Sequence, residues 1–169
     1  MKLIFEKLDK LKHNRQDFNC GVVVLNDYIQ TRANKEMKQS LNSTFVAVSL
    51  DATNLDLKPI VGYYTLSMSA LAFDAVPEHL KRHVPPSYPI PTARIGRLAR
   101  DKRYPGIGSQ ILRDALFRVL EQTKHIGIYG IQVDAKDEAA KKFYQKYGFI
   151  ELLDATEQLF LPIKTILRL

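Results

Sequence analysis

With one cysteine, Cys20, the 169-residue chain can form no internal disulfide, no CxxC redox pair and no zinc site built on thiolates. Its four histidines, His13, His79, His83 and His125, lack the spacing of metal ligands, so no metal is expected. No apolar run approaches the roughly 20 residues that cross a bilayer. The N-terminal Met1-Lys2-Leu3-Ile4-Phe5-Glu6-Lys7 has no signal-peptide hydrophobic region. These absences predict a reducing, cytoplasmic setting without a membrane partner. Internal repeats and low-complexity tracts are also missing, and glycine and proline are scattered apart from one cluster at Pro85, Pro86, Pro89 and Pro91.

What remains is 46% hydrophobic and 25% charged, with 25 Lys and Arg against 18 Asp and Glu, a net charge of +7. At about 100–200 residues per domain the length predicts one soluble domain over 1–169, large enough to hold a core of sheet and helices. The positive balance favours anionic ligands such as nucleic acid or nucleotide cofactors and says nothing of fold.

Periodicity predicts the order β-α-β-β-(α)-β-α-β-α-β-β, an α/β layered fold on a mixed sheet. Leu25, Tyr28, Ile29, Ala33 and Met37 recur at helical spacing and predict an amphipathic helix over 22–39. Strands are expected at 44–50 and 60–67 around a polar hairpin loop, and a short helical piece at 77–83. A strand at 92–99 ends in the basic tract Arg100-Asp101-Lys102-Arg103. The stripe Ile111, Leu112, Ala115, Leu116, Val119 and Leu120 predicts a helix over 108–124. A strand at 126–133, a helix at 137–147 with Gly148 as its left-handed cap, and strands at 149–151 and 158–167 complete the chain.

Two stretches carry chemistry. Leu98 to Ser109 is a strand, a basic glycine-bearing loop and the start of a helix. Unpaired N–H groups at a helix N-terminus, approached through glycines, suit a phosphate or pyrophosphate; a tight turn with solvated Arg and Lys is the competing reading. The loop is not a Walker motif, since Gly108 is followed by Ser109-Gln110, and it has too few glycines and comes too late for a dinucleotide fingerprint. The second stretch is Phe143-Tyr144-Gln145-Lys146-Tyr147-Gly148-Phe149. Here Phe143 and Tyr144 are either core aromatics or, for the Tyr144 hydroxyl, a general acid beside a leaving group.

In this order the two stretches resemble the GNAT N-acetyltransferase superfamily, whose Gln/Arg-x-x-Gly-x-Gly/Ala loop is matched by Arg103-Tyr104-Pro105-Gly106-Ile107-Gly108. More closely, the chain is similar to GNAT toxins of bacterial toxin–antitoxin modules. The matching pieces are Phe18-Asn19-Cys20-Gly21 with Leu25-Asn26-Asp27-Tyr28, Val61 to Ser67, Gly96 to Asp101, Gly108 to Leu116, Val133 to Tyr144, and Gly148-Phe149. They cover about 18–150. The chain departs from the family in a loop two residues shorter than the usual Tyr-Gln-Gly-x-Gly-x-Gly-like run, read here as trimmed at its start.

The resemblance implies a mostly antiparallel central sheet flanked by helices, with parallel strands splayed at an acetyl-CoA site. It places backbone groups of Leu98, Ala99 and Arg100, the loop residues Arg103, Gly106, Ile107, Gly108 and Ser109, and Asp137 and Phe143 on the co-substrate. It makes Tyr144 the acid that protonates the CoA thiolate. The implied substrate is the α-amine of aminoacyl-tRNA, whose acetylation blocks translation. A free α-amine titrates near 7.7–8.0 and needs no dedicated base. Arg97, Arg94 and Lys38 are candidates for the tRNA; seven cations lie between Lys81 and Arg103 against one acid, Asp101. Phe18 and Cys20 are read as packing. The implied partners are a ribbon-helix-helix antitoxin and a second copy of the chain. The rival readings are a GNAT enzyme acting on a small amine or a protein N-terminus, and a non-catalytic GNAT-fold binding module.

Overall fold

A computed structural model describes all residues of the chain except Ser87, Asp154 and Leu169. Residue contacts divide it into two compact units, Met1–Ser67 with Gly96–Ala115, and Met68–Ile95 with Leu116–Leu169.

In the first unit, β1 (Leu3–Lys7) opens the chain and β2 (His13–Asn14) follows. The predicted first helix is three consecutive pieces: α1 (Val23–Asp27), a π-helical turn Tyr28–Arg32, and α2 (Ala33–Lys38). The Val22 cap offers no side-chain hydrogen bond. Asn26 fixes the entry instead, its Oδ1 accepting from the Cys20 N–H at 2.9 Å and its Nδ2 donating to Asn19 Oδ1 at 3.1 Å. The π turn is a local widening that periodicity does not reveal, and such turns are frequent at functional sites. Strand β3 (Ser43–Ser49), the two-residue β4 (Lys58–Pro59) and β5 (Gly62–Leu71) follow; β5 runs on into the second unit.

β1 pairs antiparallel with β3, Leu3 opposite Ser49 and Lys7 opposite Phe45, and β3 with β5, Ser43 opposite Leu66. The parallel β2–β4 contact is pinned beneath by Glu6, which takes Lys58 Nζ at 2.6 Å and lies 2.9 Å from His13 Nε2. The Lys58 bond, above all, holds the Glu6 carboxyl below its ordinary range. Leu8, Phe18, Tyr28, Ile29, Ala33, Val46, Val48, Ile60, Tyr63 and Ala99 form this unit's core. Phe18 meets the Tyr63 ring edge-on at 5.3 Å, a geometry that contributes about 1 kcal/mol beyond area burial.

β6 (Ile90–Arg100) begins in the second unit and ends in the first, and α3 (Gly108–Gln122) runs the other way. In the second unit β6 pairs in parallel with β7 (Gly130–Asp134) from Thr92–Gly130 to Ile95–Val133, and β6 runs five residues beyond the last pair. After α4 (Glu138–Gln145), β8 (Ile150–Leu152) pairs antiparallel with β9 (Ala155–Pro162), which pairs antiparallel with β7. The strand order is β1-β3-β5-β6 in the first unit and β5-β6-β7-β9-β8 in the second. The expected mixed, mostly antiparallel sheet with one parallel pair is thus present.

Two expectations need correction. The strand expected at 126–133 starts only at Gly130, because Ile126–Tyr129 form the connection out of α3, where Tyr129 stacks on Phe160 at 5.9 Å. The last strand starts earlier than 158 and stops at Pro162; Ile163–Ile166 is a short helix, α5, since proline cannot donate to the ladder but suits the residue before a helical turn. The short helical piece expected at 77–83 is present, as a 3-10 helix over Glu78–His83.

Candidate active site

β6 delivers the basic loop and α3 receives it, both ends being pinned within the first unit. Asp101 N–H donates to Val61 O at 2.8 Å, and Lys102 N–H to Asn19 O at 2.9 Å. The wholly buried Asp101 carboxylate takes Arg103 Nε on Oδ1 and an Arg103 terminal nitrogen on Oδ2, each at 2.8 Å. It also accepts the N–H groups of Arg103 and Asn19, both at 2.9 Å. Burial pushes this carboxyl up, but the Arg103 bond and the two backbone N–H bonds outweigh it and hold the group below the usual range.

Gly106 has φ +84 and nothing within 4 Å of where a Cβ would stand, so the conformation requires glycine while the space beside it is open. Ile107 is buried and anchors the turn. Its carbonyl accepts from Gln110 at 3.0 Å and Ile111 at 3.1 Å, which leaves the N–H groups of Gly108 and Ser109 ahead of the ladder at the positive end of a 15-residue helix. Open glycine, free amides and local positive charge suit a pyrophosphate, so the residues present fit acetyl-CoA. Of the neighbouring predicted residues, Ala99 is buried, Leu98 half-buried and Arg100 exposed.

Arg97 sits 3.6 Å above the Tyr28 ring centroid, and Lys38 is exposed in the last turn of α2. Tyr28, Glu36, Asn42 and Asp101 shape this unit's polar surroundings and were not assigned from sequence. Asp101 stands in the matching piece Gly96 to Asp101, but the Asn19 N–H that meets its carboxylate is distant in sequence. Cys20 Sγ donates to Asn26 Oδ1 at 3.2 Å and Phe18 is in the core, as expected for packing residues.

The second unit holds Asp137, Phe143, Tyr144 and Arg94. Asp137 caps α4, its Oδ1 accepting from Ala140 N–H at 2.8 Å. Gly148, at φ +88, ends that helical segment as predicted, and Phe149 N–H reaches back to Tyr144 O at 3.3 Å. The Tyr144 ring lies between Phe143 at 5.3 Å and Phe149 at 5.4 Å and is 7% exposed. The ring is thus a core aromatic, while the hydroxyl has no hydrogen-bond partner among the described residues. No buried side-chain oxygen among them lacks a partner, so that hydroxyl reaches the surface. Burial pushes its pKa up to about 12, which keeps the proton on the oxygen at neutral pH. Arg94 is paired with Asp134.

Among the described residues no group of His, Cys, Asp or Glu could hold a metal, and no helix is long and apolar enough to cross a membrane.

No protein-family model matches the chain. A probable toxin TacT of Sinorhizobium fredii is 30% identical over 174 residues, covering 98% of this chain and 93% of that protein. A tRNA-acetylating toxin of Mycobacterium tuberculosis is 32% identical over 134 residues, covering 78% and 75%. Among solved structures, a tyrosine-to-phenylalanine mutant of KacT matches with a TM-score of 0.89 at 29% identity over 99% of both chains. AtaT complexed with acetyl-methionyl-tRNAfMet matches with a TM-score of 0.88 at 29% identity over 99% of this chain and 98% of that one. On sequence and fold together, the chain belongs to the GNAT-type tRNA-acetylating toxins of toxin–antitoxin modules.

Proposed function

We propose that the protein is an N-acetyltransferase toxin that moves the acetyl group of acetyl-CoA to the α-amine of aminoacyl-tRNA and so stops translation in the cytoplasm. The observation that carries this is the end-to-end likeness to AtaT in complex with acetyl-methionyl-tRNAfMet. AtaT is also solved with acetyl-CoA and the C-terminus of its antitoxin AtaR, and KacT with KacA on DNA. A cognate antitoxin, of ribbon-helix-helix type, and a homodimer belong to the same reading, as does the treatment of 1–169 as one acetyltransferase domain.

Acetyl-CoA supplies an acetyl group activated as a thioester. The amide groups of Gly106, Ile107, Gly108 and Ser109, with the loop held by Arg103, take its pyrophosphate. Leu98, Ala99 and Arg100 offer strand backbone to the pantetheine arm, with an N–H near Leu98 or Ala99 meeting the charge that develops on the carbonyl oxygen. Asp137 and Phe143 are assigned to the co-substrate from α4. Tyr144 donates its proton to the departing sulfur, and the attacking amine loses one proton to balance it. Arg97, Arg94 and Lys38 are assigned to tRNA; Arg94 must exchange its Asp134 partner to serve.

Adding the protein to a cell-free translation extract tests the reading. Arrest that requires acetyl-CoA, and that fresh aminoacyl-tRNA relieves, is expected. Arrest independent of acetyl-CoA would contradict it.

A further inference from the structure

Arg97 is the one cation of the predicted tRNA set whose surroundings leave its charge fixed but its donors unused. Its guanidinium carbon lies over the Tyr28 ring, 3.6 Å from the centroid, and its side chain is 25% exposed. Tyr28 is wholly buried in the π-helical turn, and its hydroxyl donates to Asn42 Oδ1 at 3.1 Å. The nearest acid, Glu36, is already engaged. Arg32 donates to its Oε1 at 2.8 Å and Asn42 Nδ2 to its Oε2 at 2.7 Å, so it approaches Arg97 only to 4.0 Å. That is close enough to hold the cation by charge and too far for a hydrogen bond.

Arg97 donates no hydrogen bond to any described residue. Since no buried side-chain nitrogen among them lacks a partner, its N–H edge opens on solvent. A guanidinium carries five donors in a planar fork that fits phosphate oxygens. Held on one face by an aromatic ring and steadied by a carboxylate, it gives up little side-chain freedom when an anion arrives. Between Tyr28 and Lys38 the chain adds Arg32, Lys35 and Lys38 against Glu36 alone, which suits a polyanion better than a lone carboxylate.

We infer that Arg97 is a preformed clamp for one phosphate of the tRNA, with Tyr28 and Glu36 as its positioning residues. The inference rests on the tRNA reading above and adds which group meets the RNA backbone and why it is rigid. Phosphate is also present in acetyl-CoA, so the test must separate the two sources.

The experiment measures KM for aminoacyl-tRNA and for acetyl-CoA across a salt series, in the wild type, Arg97→Gln, Arg97→Lys, Tyr28→Leu and the surface control Lys124→Gln. Each phosphate contact contributes about 0.7–0.9 to the slope of log affinity against log salt. Arg97→Gln is expected to raise KM for aminoacyl-tRNA roughly tenfold and to lower that slope by about this amount, with KM for acetyl-CoA unchanged. Arg97→Lys and Tyr28→Leu keep the charge and are expected to keep the slope while raising KM severalfold, because the guanidinium–ring contact is gone. Lys124→Gln is expected to change neither. A wild-type slope in Arg97→Gln overturns the clamp, as does a change confined to acetyl-CoA or a fall in kcat with both KM values intact. If the wild type transfers nothing to aminoacyl-tRNA, the function reading fails and the clamp with it.

Discussion

Asp101 and Arg103 are closed on each other by two parallel N–H···O bonds of 2.8 Å, with the carboxylate wholly out of solvent. The same carboxylate takes the N–H of Asn19, 82 residues away in sequence, so one side chain ties the loop to the segment that leads into α1. Arg103 donates further to Asp17 O at 3.2 Å. Its side chain is thus spent largely on holding the loop's shape, and the amides beyond it carry the contact with an anion.

Asp101→Asn should lower stability by roughly 3 kcal/mol, the low end for breaking a buried pair because the Arg103 side chain is half exposed. The sign of the pH effect follows from the lowered pKa of Asp101. Its contribution is complete above the unfolded value near 3.9 and is lost as pH falls through the folded one. Urea unfolding should therefore show a constant gap between wild type and Asp101→Asn from about pH 5 upward, closing in stronger acid. A gap that widens on acidification would contradict the pairing.

Tyr144→Phe should lower kcat for acetyl transfer by roughly 100-fold or more, the usual contribution of a general acid, while calorimetry finds acetyl-CoA affinity nearly unchanged. With the phenol pushed up to about 12, the wild-type rate should show no alkaline fall from this group below pH 10. Wild-type turnover in Tyr144→Phe would remove the assignment.

Gly106→Ala should cost the loop roughly 1–2 kcal/mol, because φ +84 is strained for any residue with a Cβ although nothing crowds the position. Gly106→Val should in addition weaken acetyl-CoA binding by narrowing the approach to the amides of Gly108 and Ser109. Calorimetry that finds equal affinity for Gly106→Val and wild type would count against the loop as the pyrophosphate site.

Gly130→Ala tests the packing of the second unit. A Cβ there would run into the Phe160 ring and come within 2.7 Å of Leu161 O, so the β7–β9 pair must shift. A loss of roughly 1–3 kcal/mol is expected from such overpacking. An unchanged melting temperature would show that this register is wrong.

Much of this was legible in the sequence because it rests on local chemistry. The strand, loop and helix from Leu98 to Leu120 follow from periodicity, and a glycine at 148 after an apolar helix face predicts the left-handed cap that its φ of +88 shows. What was hidden depends on distant partners. The burial of Asp101 depends on Asn19 and Arg103 closing over it, and Asn19 lies 82 residues away. The π turn at Tyr28 needs Asn42 and Thr44, within 3.1 and 3.4 Å of its hydroxyl, to show why that tyrosine is oriented as it is. Pro162 was a usable signal for the end of β9, and the apolar run through Leu167 masked it.

Acetyl transfer to aminoacyl-tRNA is measured by following labelled acetyl from acetyl-CoA to total aminoacylated tRNA, beside deacylated tRNA and a polyamine panel, with Tyr144→Phe as control. Label is expected on charged tRNA alone, released with the amino acid on mild alkaline hydrolysis and lost in the mutant. Label on a polyamine with none on tRNA would contradict the aminoacyl-tRNA reading.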